Sequence, residues 1–63
     1  MTIEQEIAAC KSAIRSCQLR IDRLIAEHGT GVRPAWVSGD IGHEQGQIAA
    51  WERTILSLRG EPA

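Results

Sequence analysis

Two ladders of apolar positions run along the chain. Ile3, Ile7, Cys10, Ile14, Cys17, Ile21 and Leu24 follow one another at alternating steps of four and three residues. Val37, Ile41, Glu44, Ile48, Trp51, Ile55 and Leu58 repeat the alternation with one polar rung. Such spacing keeps successive rungs on one side of an α-helix, as in a heptad seam. The pattern predicts an all-α fold in a single domain: a helix over about residues 2–28, a loop at 29–33, a second helix over about 34–59 and a tail at 60–63. So short a connection makes the helices antiparallel, giving a two-helix hairpin.

Local signals agree best for the first helix. Thr2 and Gln5 have the spacing of a capping box, and Glu4 and Glu6 put negative charge where the helix dipole favours it. No Gly or Pro interrupts residues 2–28, and Gly29 is suited to the left-handed stop, with His28 near the last carbonyls. Ala13 and Ile25 widen the stripe beyond the seam, whereas Leu19 falls near the opposite face. The second helix is less ideal. Its start is either Pro34, which suits a first turn, or a later N-cap at Ser38 with Asp40 following. Gly39, Gly42 and Gly46 each cost about 1 kcal/mol against Ala in a helix interior. They imply either a close approach by another backbone or an irregular first half. Gly60 and Pro62 mark the end.

Size changes the picture more than charge does. A chain of 63 residues buries only about 60% of its unfolded surface, and small domains add disulfides, metals or oligomerisation. Two Cys make no disulfide framework, and no Cys/His grouping has zinc-ligand spacing, so no metal is expected. Oligomerisation is the route left. The expected product is a homo-oligomeric helical bundle with Ile7, Cys10, Ile14, Cys17, Ile21, Leu24, Ile48, Trp51, Ile55 and Leu58 in its core and interface. Ala13, Ile25, Leu56 or Leu19 would sit at the second contact. Subunit number and chain direction stay open. A formal charge of −1 provides no field to attract nucleic acid or anionic lipid. No apolar run is long enough to span a membrane, and the acidic start is unlike a signal peptide, so a cytoplasmic chain with reduced thiols is expected.

Catalytic chemistry is poorly served. The chain has no phosphate loop with Lys, no paired His one helical turn apart and no Ser elbow, so neither an enzyme nor a cofactor is expected. Cys10 and Cys17 occupy seam rungs as small core side chains; the alternative is a disulfide between two first helices paired antiparallel near Ile14. Glu44 needs a partner across the hairpin, Arg15 or Arg20, or exposure near an end. His28 and His43 lack a third ligand.

The loop concentrates what remains: Arg33, Pro34, Trp36 and Ser38 beside a helix N-terminus, with His43 further on. Free amides and a positive dipole end attract anions, Arg33 can grip a phosphate, and Trp36 can stack on a base. Arg33, Trp36, Ser38 and His43 are thus a candidate site for a small anionic, nucleotide-type ligand. The plainer reading makes Trp36 a lid over the end of the bundle. A third makes Trp36 and Arg33 a hot spot for another protein. Arg33-Pro34-Ala35-Trp36-Val37-Ser38 resembles a segment of small phage and prophage proteins of helical-hairpin type. The resemblance covers only this neighbourhood and transfers no functional residue; it implies an inhibitor directed at a host partner. Two functions are therefore expected in order: a non-catalytic, self-associating hairpin that binds another protein, and a sequestering binder of an anionic nucleotide.

Overall fold

The computed structural model describes residues 1–60. Helix α1 spans Ile3–His28 and helix α2 spans Ala35–Leu58. They pack along one another as an antiparallel hairpin, and no strand occurs among the described residues.

α1 begins on the expected capping box. The Gln5 amide donates to the Thr2 hydroxyl at 3.1 Å, and the Thr2 amide donates to the Gln5 side chain at 2.9 Å. At its other end Gly29 takes φ +76°, which a residue with a Cβ rarely adopts, and its amide donates to the Ile25 carbonyl. α2 starts one residue later than the earlier of its two expected starts, with Pro34 as N-cap rather than first helical residue. Ser38 lies inside the helix, so the later start is excluded. The irregular first half is also corrected: α2 continues through Gly39, Gly42 and Gly46. A Cβ added at any of the three would meet nothing within 4 Å. Within the chain, therefore, no backbone approaches them closely. The helix ends at Leu58, and Gly60 is left-handed with φ +77°; Pro62 lies outside the described residues.

The core follows the ladders but is thinner than they are long. Cys10, Cys17, Ile21, Val37, Ile41 and Ile55 are buried, and Leu24 and Ile48 pack against the central cluster of Ile21, Val37 and Ile41. Ile7, Ile14 and Leu58 are half-buried. Three expected inward positions are more open. Ile3 is the first residue of α1, and Ile25 and Trp51 flank the contact line, where one neighbouring helix covers only one side of each. The chain measures 43 × 19 × 13 Å, so its thinnest dimension is close to one helix diameter of about 10–12 Å. In a body one helix thick only the side chains on the line between the two helices are buried, and those on its flanks stay open.

Candidate functional site

The polar rung organises the middle of the hairpin. Glu44 sits on the inner stripe of α2, its side chain only 15% exposed, and Arg20 reaches across from α1 with Nε donating to Glu44 Oε1 at 2.9 Å. Of the two partners the spacing allowed, register selects Arg20. In an antiparallel pairing centred on the loop it stands level with Glu44, whereas Arg15 lies beyond and stays exposed. The Arg20 guanidinium also donates through Nη2 to Cys17 Sγ at 3.4 Å. Glu44 Oε2 is buried without a hydrogen-bond partner of good geometry, with the Cys17 side chain beside it.

These contacts shift the proton affinities of all three groups. The Arg20 hydrogen bond, followed by the contact with Cys17, holds the Glu44 carboxyl below its ordinary value. Burial, and then the Glu44 carboxylate, push the Cys17 thiol up. The ion pair in turn raises Arg20 further. Cys17 is a free, buried side chain that fills space in the seam beside the carboxylate. Cys10 is likewise buried and free. A disulfide between copies would require both thiols to leave the seam. The cluster acts as an electrostatic pin: sliding the helices by one turn would break the Arg20–Glu44 hydrogen bond that compensates the burial of the carboxylate.

Beside the pin lies an open recess of about 330 Å³ lined by Arg20, Arg23, Leu24, Asp40, His43 and Glu44. The ladders did not single out Arg23 or Asp40. The available signal was their offset: each lies one turn nearer the loop than a partner in the Arg20–Glu44 pair. No group of three or more His, Cys, Asp or Glu that could hold a metal occurs among the described residues.

The loop residues are only partly gathered. Arg33 folds back on the end of α1, Nη1 donating to the Gly29 carbonyl at 2.7 Å and Nε to Ser38 Oγ at 3.4 Å. Arg33 thus satisfies a carbonyl that α1 leaves free, the task the sequence suggested for His28. His28 instead meets Trp36 edge-on, ring centroids 5.1 Å apart. Trp36 keeps 55% of its surface exposed, so it rests on the end of the hairpin without closing it. His43 stands at the recess instead. Of the four candidate ligand residues, Arg33 and Ser38 touch one another, Trp36 flanks them, and His43 belongs to a different surface. Among the described residues no helix is long and apolar enough to cross a membrane. Compared with known proteins, the chain matches no family model, no curated protein and no solved structure.

Proposed function

We propose that this chain is a non-catalytic helical hairpin that self-associates and acts by binding another protein. One observation carries the reading: a two-helix wall leaves large apolar side chains uncovered on both of its flanks and at the loop end. Ile3, Leu19, Ile25, Val32, Trp36 and Trp51 are exposed, against six buried apolar side chains among the described residues. The chain exposes 4536 Å², about 500 Å² more than a compact monomer of 6.9 kDa would, given the usual scaling of area with mass. Trp36 and Val32 project at the loop end, where a large aromatic side chain is the type that anchors protein partners.

Mass measurement in solution by sedimentation equilibrium, with native mass spectrometry for co-purified molecules, tests the reading. An oligomer at low micromolar concentration is expected. A monomer that melts cooperatively under the same conditions would remove the basis of the proposal. The partner-binding half is tested at the loop: Trp36→Ala should abolish stoichiometric capture of a partner while leaving the oligomer intact. The second reading, sequestration of an anionic nucleotide, gains little from the loop, because Arg33 already bonds the Gly29 carbonyl and Ser38. Saturable binding of ATP or GTP that is lost in both Arg33→Ala and Trp36→Ala would restore it.

A further inference from the structure

The recess identifies one long face of the hairpin, and the two helices contribute opposite properties to it. On α1 the strip beside the seam runs Glu6, Ala9, Ala13, Arg20, Arg23 and Glu27, small in its first half and basic where it borders the recess. On α2 the matching strip runs Asp40, His43, Glu44 and Trp51, with the carboxylates of Asp40 and Glu44 at the recess and the bulky Trp51 beyond it. Because the helices are antiparallel, Arg20 fixes the heights by pairing with Glu44. One turn toward the loop, Arg23 and Asp40 face each other across the recess. Two turns the other way, Ala13 stands level with Trp51. Arg23 and Asp40 form no ion pair within the chain among the described residues. Trp51 keeps 37% of its surface exposed.

A face with base and hole on one side, acid and knob on the other, at equal heights, is complementary to a copy of itself. Resting on the self-association proposed above, we infer that two copies pair through this face about a twofold axis parallel to the hairpin's long axis. That operation preserves height and lays α1 of each copy over α2 of the other. Each Arg23 then meets the partner's Asp40, and each Trp51 covers the partner's Ala9 and Ala13. The arrangement is isologous and closed, as a dimer interface of this kind must be, and it makes a four-helix bundle. The face, 43 × 19 Å, offers on the order of 800 Å², one side of an interface of standard size. On the opposite side of the seam Lys11 on α1 and Glu52 on α2 also stand at about equal height; what sets the first flank apart is the recess that both helices line and the exposed indole of Trp51.

The test uses the full chain and a charge exchange. Arg23→Asp and Asp40→Arg change exposed, unpaired residues, so the hairpin should keep its helical circular dichroism. Each variant alone places like charges together twice and should weaken dimerisation about tenfold or more. Mixed in equal amounts, the two should restore wild-type affinity as heterodimers, seen by native mass spectrometry, since both contacts are then opposite in charge. An interaction within one chain cannot be rescued by mixing. Trp51→Ala should also dissociate the dimer, whereas Ile25→Glu on the opposite flank should not. A wild-type oligomer that is indifferent to the single changes, is not rescued by mixing, or is lost in Ile25→Glu overturns this face while leaving self-association standing. A monomeric wild type overturns both.

Discussion

The two helices reach nearly the same length by different routes. α1 has a capping box, acidic residues in its first turn, no internal Gly and a left-handed Gly stop. α2 has no side-chain cap, no acidic residue in its first turn and three internal glycines, yet runs unbroken for 24 residues. The difference teaches where helical stability comes from in so small a chain. α1 is favoured by its own local chemistry, whereas α2 is held by what its inner face touches. Val37, fully buried, and Ile41 lie in the weak glycine-containing half, and they dock on Ile21. Where propensity is poorest the packing is tightest.

The comparison predicts where the molecule breaks. Ile21→Ala should destabilise by about 3 kcal/mol, enough to unfold α2 in a domain with a core this small; a urea titration followed by circular dichroism reads it. Leu19→Ala, on the outer face of the same helix, should change stability by no more than about 0.5 kcal/mol. If the two losses are alike, α1 does not act as the platform described. Replacing Gly39, Gly42 and Gly46 together by Ala should raise the urea midpoint, at about 1 kcal/mol per site, because space is open at each. A lower midpoint would mean that another backbone packs against that outer face. Thr2→Ala should cost about 1 kcal/mol through the lost cap, measured in the same way.

A smaller effect concerns the pin that joins the helices, and it has a definite sign. Glu44 is held below its ordinary value of 4.5, so its contribution is complete above that pH and is lost as pH falls through the lowered value. Cys17 is raised from 9.0, so the stability linked to its neutral thiol is present below that pH and is lost as pH rises beyond it. Thermal midpoints should therefore be level between these limits and decline outside them. Glu44→Gln should flatten the acid decline, and Cys17→Ser the alkaline one. An unchanged acid limb in Glu44→Gln would show that other carboxylates carry it. Both thiols, being buried, should react with a disulfide reagent at neutral pH only as fast as the chain opens.

Much of this was legible without coordinates, because helix periodicity and end chemistry are local. The alternating spacing in Ile3–Leu24 and Val37–Leu58, the Thr2–Gln5 box and the Gly29 stop involve residues at most four apart. A neighbour four positions away is one helical turn away whatever the rest of the chain does. The polar rung announced that Glu44 needed a cation, but two arginines lay within reach by spacing alone. Only the register of one helix against the other chose Arg20, brought Cys17 beside the carboxylate, and set Arg23 and Asp40 on the two walls of one recess. Arg33 and Trp36 show the same division. Their chemistry was evident in the sequence, but whether the guanidinium faced solvent or the end of α1 depended on the path of the loop. Periodicity determines which side of each helix is apolar; the relative sliding and rotation of two helices depend on contacts between residues a dozen or more positions apart, and those exist only once the hairpin has closed.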